Sequence, residues 1–297
     1  MRSGADLRST AVPGSMPASA DDGDLASRLN EIRRLANQSR QVLLKMIYLA
    51  GSGHLGSSLS CLDILSVLKF DQMNWRADVP RSESDVFVLS KGHAVPAWYA
   101  VLIVSGELDA ELVTRLRMID SPLQGHPDHS RLDLVDVSTG ALGQGLSSSL
   151  GRAQAKQLKR QDSCVYCLIG DGELQEGQMW EALLYGGAHR LGNVILLVDH
   201  NGSQNDGPVD QIMPLQSLAA KFESFRWHVQ EIDGHSHAQI RAAIVAARTY
   251  PARPSVIIAR TRKGFLGRDR VLHDGSNTVV LTADDFEQAT GYLRAKA

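Results

Sequence analysis

The stretch that decides the fold is "CLIGDGELQEGQMWEALLYGG", residues 167–187. It starts as an apolar run, passes through Gly170-Asp171-Gly172 and continues with the spacing of a helix. A strand that turns directly into a helix is typical of parallel α/β sheets, in which ligands bind beyond the carboxyl ends of the strands. The N-terminus of such a helix favours anions and their counter-cations. The stretch therefore predicts an α/β fold with a ligand site around Asp171.

The same alternation of strand and helix continues along the chain. It predicts strands at 86–89, 164–169, 194–199, 226–231 and 255–260, and helices at 147–160, 176–190, 214–221 and 236–248. Apolar strands that alternate with helices indicate a doubly wound, mostly parallel sheet with helices on both faces.

The N-terminal part of the chain is predicted to be helical. Helical spacing of apolar residues begins near Leu25 and stops at Gly51, and a second helix follows a glycine-rich loop, with Ser60 or Asp63 as its candidate cap. Residues 1–24 are rich in Ser, Ala, Gly, Pro and Asp and contain no apolar segment of a secretory signal. We expect a flexible N-terminal tail at 1–24 and one domain at 25–297.

Composition excludes several classes of function. The 31 basic and 33 acidic residues give a net charge of −2, so no strong field favours nucleic acid or an acidic membrane, and no apolar run is long enough to span a bilayer. Three cysteines are typical of a reducing cytoplasm. Cys164 and Cys167 spell C-x-x-C, a pattern of zinc or redox sites, but residues three apart on a strand point to opposite faces. We interpret them as ordinary strand residues.

The strand ends carry polar side chains but no P-loop, and no G-x-G-x-x-G follows a strand. Asp171 and Asn201 are 30 residues apart (201 − 171), which is one βαβ unit, so both are expected at neighbouring strand ends. A carboxylate, a carboxamide and a backbone carbonyl form an oxygen site that suits Mg²⁺ or Ca²⁺. A single negative charge leaves the cation able to bridge a diphosphate. The alternative is that Asp171 only caps the next helix and Asn201 only makes a turn.

A family resemblance favours the first interpretation. "GDG" followed after 28 residues by Asn is similar to the diphosphate-binding motif of thiamine diphosphate enzymes, and "GDGELQEGQMWEA" resembles its transketolase form. "GSGHLGSSLS", "LSKGHAVPAWYA", "QGHPDHS" and "STGALGQGLSSS" resemble further transketolase loops in the same order. The resemblance spans roughly residues 28–292 and implies a thiamine diphosphate-binding domain of the diphosphate-binding (PP) type.

The resemblance also implies roles for individual residues. The ligands of Mg²⁺, for which Ca²⁺ could substitute, would be Asp171, Asn201 and the carbonyl of Ser203. The remaining cofactor contacts would come from the amide of Gly172, from His93 and His273 near the diphosphate, and from Gly140, Ala141 and Leu142 against the rings. The residues implied in catalysis are His54, His126, His273 and Glu176. Of these, His54 and His126 resemble substrate-channel histidines. Glu176 and Glu181 resemble the family's paired glutamates near a dimer interface, and the alternative for Glu181 is an ordinary solvated helix residue.

The implied activity is the transfer of a two-carbon ketol unit from a ketose donor to an aldehyde acceptor. Transketolases also have a pyrimidine-binding domain with an activating glutamate, whereas this sequence ends at Ala297, after the first domain. Leu55, where fused enzymes usually carry proline, resembles split forms. We therefore expect a separate C-terminal subunit as partner, an α2β2 assembly, and no activity from this chain alone.

Three alternatives remain at this point. The chain could be half of a 1-deoxyxylulose-phosphate synthase-like enzyme, the α-subunit of a 2-oxoacid dehydrogenase-like enzyme, or a cofactor-holding subunit without turnover. The histidines at 54, 93 and 126, together with Gln-Glu-Gly after the Gly-Asp-Gly turn, favour transketolase.

Overall fold

The computed structural model describes residues 22–75, 80–272 and 280–296. Its helices are α1 (Asp22–Ala50), α2 (Leu55–Val67), α3 (Val95–Val104), α4 (Gln144–Leu158), α5 (Gly177–Ala188), α6 (Val209–Ile212), α7 (Leu218–Ser224), α8 (His237–Arg248) and α9 (Ala283–Ala295). Its strands are β1 (Val86–Leu89), β2 (Val165–Gly170), β3 (Val194–His200), β4 (Ser203–Gln204), β5 (Gly207–Pro208), β6 (His228–Asp233), β7 (Ser255–Arg260), β8 (Phe265–Gly267) and β9 (Arg270–Val271).

Five parallel strands form the central sheet in the order β1-β2-β3-β7-β6. The register pairs Gly170 at the end of β2 with Asp199 on β3, and His200 at the end of β3 with Arg260 on β7. The carboxyl ends of β1, β2, β3 and β7 therefore lie side by side at one edge of the sheet. This is the edge at which ligands bind in doubly wound folds.

Each face of the sheet packs on its own apolar core. Tyr166, Leu168, Ile195 and Leu197 face the core built by α1, α2, α3, α8 and α9. Their neighbours Val165, Cys167, Ile169, Val194, Leu196 and Val198 face the core built by α4, α5 and α7. Alternation along strands that are buried on both faces confirms the predicted doubly wound sheet.

The two thiols of the C-x-x-C pattern point to opposite sides of the sheet, as predicted. Cys167 lies in the core with α4 and α5, whereas Cys164 packs against the other core, and both are free thiols. Burial raises the pKa of the Cys164 thiol to about 11. The pair therefore has neither the geometry nor the ionisation of a redox or metal motif.

Helix boundaries differ from the predictions where local pattern was the only guide. Helix α1 begins at Asp22, three residues before Leu25, near which the helical pattern was predicted to begin; residues 1–21 of the predicted tail lie outside the described residues. The predicted caps of the second helix are also wrong, because α2 begins at Leu55 and contains Ser60 and Asp63 in its interior. These two side chains serve long-range contacts instead: Ser60 donates to Asp199 and Asp63 pairs with Arg40.

Two short strands and a helix occupy the polar loop that follows β3. β4 and β5 form an antiparallel pair, and α6 follows directly. No helix in the described part of the chain is long and apolar enough to cross a membrane.

Candidate active site

A cavity of about 490 Å³ opens at the carboxyl ends of the strands. Ten of the residues selected from the sequence line it: His54, His93, His126, Gly140, Leu142, Asp171, Gly172, Glu176, Asn201 and Ser203. Ala141 is exposed and is not among the lining residues. His273 lies outside the described residues. The structure thus brings the predicted site together from five separate loops.

Asp171 follows β2 directly and is only 1% exposed. Its two carboxylate oxygens accept hydrogen bonds from the backbone N–H groups of Gly172, at 2.9 Å, and Gly202, at 2.6 Å. Among the described residues it forms no ion pair with a basic side chain. Burial, together with the nearby negative charge of Asp199, raises the pKa of Asp171 to about 6. A buried carboxylate without a paired basic side chain is suited to binding a cation, because the cation would stabilise its charged form.

Asn201 follows β3 and is held in one orientation by its neighbours. Its Nδ2 donates to Asp199 Oδ2 at 3.2 Å, and its Oδ1 accepts from the backbone N–H of Ser203 at 3.0 Å. The amide nitrogen is therefore turned toward the protein interior, and the oxygen lies on the opposite side, where Ser203 lines the cavity. This orientation presents the atom that a hard cation prefers.

A buried ion pair between Lys91 and Asp199 holds the Asn201 side chain in place. Lys91 and Asp199 are 1% and 0% exposed, and the Lys91 ammonium contacts the Asp199 carboxylate and the carbonyl of Ser57. Thr261 donates to the other carboxylate oxygen. Burial alone would raise the pKa of Asp199, but the ammonium and the hydroxyl donors outweigh it and hold that pKa below its usual value. Asp199 is therefore an anion that orients Asn201 without facing the cavity.

Glu173 joins three of the loops that surround the cavity. It is 2% exposed, and its carboxylate accepts from the Ser90 hydroxyl and from the backbone N–H groups of Gly143, at 2.8 Å, and Gly170, at 3.2 Å. Gly143 has a φ of +85°, which favours glycine at the turn before α4. Glu173 thereby connects the loops that follow β1 and β2 to the 139–143 turn.

The three predicted histidines form a group on one side of the cavity. The ring centroids of His54 and His93 are 5.2 Å apart, and those of His54 and His126 are 6.3 Å apart. Burial is the main cause that lowers all three pKa values: that of His54 falls to about 4, and that of His93 falls well below its usual value. Uncharged imidazoles can donate one hydrogen bond and accept another, so this group suits hydroxyl and carbonyl oxygens of a ligand.

The loop that carries His126 is tied to the end of β1. Thr139 Oγ1 donates to the carbonyl of Leu89 at 2.6 Å, and its N–H donates to the carbonyl of Pro127. A Cβ on Gly140 would lie 3.4 Å from the His126 ring, so the glycine backbone packs closely against that imidazole. The long loop at 121–143 is therefore an ordered wall of the cavity.

Glu176 lines the cavity and is the N-cap residue directly before α5, and Glu181 is exposed on α5. Among the described residues no three His, Cys, Asp or Glu side chains are grouped closely enough to hold a metal ion. A cation site here would rely on one carboxylate supplemented by amide and carbonyl oxygens.

Comparison with known proteins decides the family. Residues 32–293 match the family described as "Transketolase, thiamine diphosphate binding domain". The chain belongs to the transketolase family. It corresponds to the N-terminal half of a transketolase, the half that binds thiamine diphosphate, as the resemblance predicted.

Two of the most similar relatives are separate subunits. The 6-deoxy-6-sulfo-D-fructose transketolase subunit SqwG of Clostridium sp. (strain MSTE9) is 40% identical over 235 residues, which are 79% of this chain and 86% of that protein. One of the apulose-4-phosphate transketolase subunits of Phocaeicola vulgatus is 34% identical over 259 residues, covering 86% of this chain and 90% of that protein.

Longer transketolases match over most of this chain. Human transketolase is 38% identical over 241 residues, which are 80% of this chain but 38% of that protein. The crystal structure of transketolase from Campylobacter jejuni superposes with a TM-score of 0.80 at 32% identity, covering 90% of this chain and 43% of that one. This chain therefore spans about two fifths of the length of these transketolases.

Four further residues support the site without having been predicted from the sequence: Lys91, Asp199, Glu173 and Arg117. A signal existed for the first two, because each is a charged residue at the end of an apolar strand. Glu173 and Arg117 act through partners 30 to 83 residues away, which local pattern does not reveal.

Proposed function

We propose that this chain binds thiamine diphosphate through a divalent cation, which is Mg²⁺ or a Ca²⁺ that replaces it. Its ligands would be Asp171 Oδ, Asn201 Oδ1 and the carbonyl of Ser203. The buried Asp171 carboxylate, which forms no ion pair with a described residue, and the Asn201 amide held oxygen-outward by Asp199 support this assignment. Only one of the three ligands is anionic, so the cation keeps positive charge for the diphosphate.

The remaining cofactor contacts follow from the lining of the cavity. The Gly172 N–H and the His93 ring are proposed to donate to the diphosphate, together with His273. The Gly140–Leu142 turn would lie against the rings, where the small residues Gly140 and Ala141 permit close approach of the backbone. Gly172 N–H now donates to Asp171, so binding would redirect this one hydrogen bond.

The reaction proposed for the assembled enzyme is ketol transfer between a ketose and an aldehyde. Thiamine diphosphate, when bound, supplies the nucleophilic carbon that makes cleavage of a carbon–carbon bond next to a carbonyl possible. This chain's contribution is to bind and orient: His54 and His126 would contact substrate oxygens, and each uncharged ring can donate one hydrogen bond and accept another. Glu176, with Glu181, is proposed to act at the interface between two copies.

The active unit is proposed to contain a separate pyrimidine-binding subunit, in an α2β2 assembly. The two subunit-named relatives, of which this chain covers 86% and 90%, support a partner. The exposed Ile119 and Met213, 89% and 53% accessible, flank loops of the cavity and are candidate contacts for it. Three free cysteines, of which Cys61 and Cys167 are buried, support a reducing cytoplasm as the compartment.

The donor is proposed to be a ketose with an anionic terminal group. The names of the relatives support this class, because one acts on a sulfonated ketose and another on a ketose phosphate. The permanently charged Arg117 lies beside His54 and would add positive potential at that side of the cavity.

The observation that carries the proposal is the convergence of Asp171, Asn201 and three uncharged histidines on one cavity. The test is to purify this chain with a co-expressed pyrimidine-binding subunit and supply thiamine diphosphate and Mg²⁺. The donor panel would be 6-deoxy-6-sulfo-D-fructose, fructose 6-phosphate and xylulose 5-phosphate. We expect aldehyde-dependent transfer of two carbons by the complex and none by this chain alone.

Pyruvate serves as the competing substrate in the same assay. Release of CO₂ from pyruvate without ketol transfer would contradict the proposal and favour a decarboxylating relative. Cofactor binding without any turnover would favour a cofactor-holding subunit instead. Full activity of this chain without a partner would contradict the two-subunit assembly.

A further inference from the structure

Arg117 occupies an unusual position next to the candidate site. Its φ is +60°, in the left-handed region that residues other than glycine rarely adopt. The conformation is held by the Arg117 N–H, which donates to the carbonyl of Leu123 at 2.8 Å. The cation is therefore carried on a tight turn rather than on a free loop.

The guanidinium of Arg117 reaches the junction between α1 and α2. Its Nη1 lies 3.1 Å from Ser52 Oγ, and its Nη2 lies 3.2 Å from His54 Nδ1. A guanidinium has only donors and stays charged, so Nδ1 of His54 has to be the acceptor. In an uncharged imidazole whose Nδ1 accepts, the proton is on Nε2. His54 lines the cavity, and Nε2 forms no hydrogen bond with a described residue.

We infer that Arg117 is a positioning residue that fixes His54 as the Nε2–H tautomer, so that His54 presents a hydrogen-bond donor to a ligand oxygen in the cavity. The tautomer of His54 does not depend on the proposed function or on a partner subunit, because both residues belong to this chain. Only its consequence for turnover rests on the proposed function, in which the oxygen belongs to the ketose.

The charges around His54 act in the same direction. The described groups that face it are Arg117, Lys263, His93 and His126, and none of these four is anionic. Burial is the largest cause of the lowered pKa of His54, and Arg117 is the next. His54 is therefore uncharged near neutral pH and donates through its tautomer rather than as an imidazolium. A histidine left free to change tautomer would offer a lone pair to the ligand for part of the time.

The test is nitrogen NMR of the full chain labelled with ¹⁵N-histidine, with the His54 signals assigned by their loss in His54→Gln. In the unsubstituted chain we expect a protonated Nε2 and an unprotonated Nδ1 for His54. In Arg117→Met the ¹⁵N chemical shifts of Nδ1 and Nε2 should move toward each other, as expected for a mixture of tautomers, and His54 should become protonated at a higher pH. Arg117→Lys keeps a charged donor and should restore the original pattern at least in part.

Arg115→Met is the matched control, because Arg115 is exposed in the same loop and the change should leave the His54 signals unmoved. A protonated Nδ1 in the unsubstituted chain would overturn the inference without any variant having to fold. So would an unchanged His54 pattern in Arg117→Met, provided that urea unfolding shows the variant to be folded.

Kinetics of the complex then separate the inference from the proposed function. We expect Arg117→Met to lower kcat/KM for the ketose about tenfold, the effect of one hydrogen bond, while cofactor affinity stays unchanged. A shifted tautomer with unaltered kcat/KM would overturn the role of His54 as a donor to substrate, while the link between Arg117 and the tautomer would stand.

Discussion

Substitution of Glu173 by alanine should destabilise the fold and the cofactor site together. The carboxylate accepts from two backbone N–H groups, those of Gly143 and Gly170, and from the Ser90 hydroxyl. Removing it leaves both N–H groups without a partner, at a cost of about 1–2 kcal/mol each, whereas the hydroxyl can rotate toward another acceptor. Loss of the one buried methylene group that alanine lacks adds about 1 kcal/mol. The expected decrease in the free energy of unfolding is about 3–5 kcal/mol, a large part of the total for such a domain.

The assay is urea unfolding of the chain followed by far-UV circular dichroism, with Ser90→Ala as the matched control. Ser90→Ala removes one of the three hydrogen bonds but leaves both N–H groups satisfied, so it should cost only about 1 kcal/mol. In the complex with its partner, Glu173→Ala should also weaken thiamine diphosphate binding, because the 170–172 and 139–143 loops lose their common tie. Equal unfolding free energies for Glu173→Ala and Ser90→Ala would refute this reasoning.

Three further predictions concern packing, catalysis and pH. A Cβ on Gly187 would lie 1.8 Å from a backbone carbonyl oxygen, so Gly187→Ala should destabilise the chain by about 2 kcal/mol or more. Gly151 on α4 has open space around it, so Gly151→Ala should stabilise the chain by about 0.5–1 kcal/mol. Urea unfolding measures both effects, and equal effects would contradict the packing. His126→Ala should lower kcat about 100-fold with cofactor affinity retained, and a parallel loss of both in calorimetry and ketol-transfer assays would count against its assignment to substrate. Burial holds the pKa of His93 well below its usual value, so protonation favours the unfolded chain once the pH falls below about 6.5. The free energy of unfolding, measured relative to that of His93→Gln, should therefore fall by about 1 kcal/mol between about pH 7 and pH 5.5. A difference between the two proteins that does not change with pH would contradict this prediction.

The parallel sheet, and the edge of the sheet at which the cavity lies, were predictable because they depend on local sequence pattern. Apolar runs such as "VILLVD" fix strands, and the distance from Asp171 to Asn201 equals one βαβ unit, so their adjacency follows from parallel topology alone. The ends of the helices were less predictable. Ser60 has the side chain of a helix cap, yet it lies inside α2 because its hydroxyl is required by Asp199, 139 residues away.

The supporting residues could not be found in the same way. Nothing near Glu173 in sequence indicates that its carboxylate reaches Gly143 and Ser90, since that contact exists only after three loops have converged. Arg117 lies in a loop without regular periodicity, and its contact with His54 depends on a left-handed turn. Motifs identified the groups that would touch a ligand, whereas the groups that hold them in position depend on tertiary structure.

The most direct test of the account is the location of the metal. Crystals of the complex with its partner, grown with thiamine diphosphate and Mn²⁺ in place of Mg²⁺, would be measured for anomalous scattering. We expect one peak within about 2.5 Å of Asp171 Oδ, Asn201 Oδ1 and the Ser203 carbonyl, in contact with the diphosphate, and no such peak in Asp171→Ala. A bound cofactor with no metal at these three oxygens, or a peak that persists in Asp171→Ala, would contradict the account.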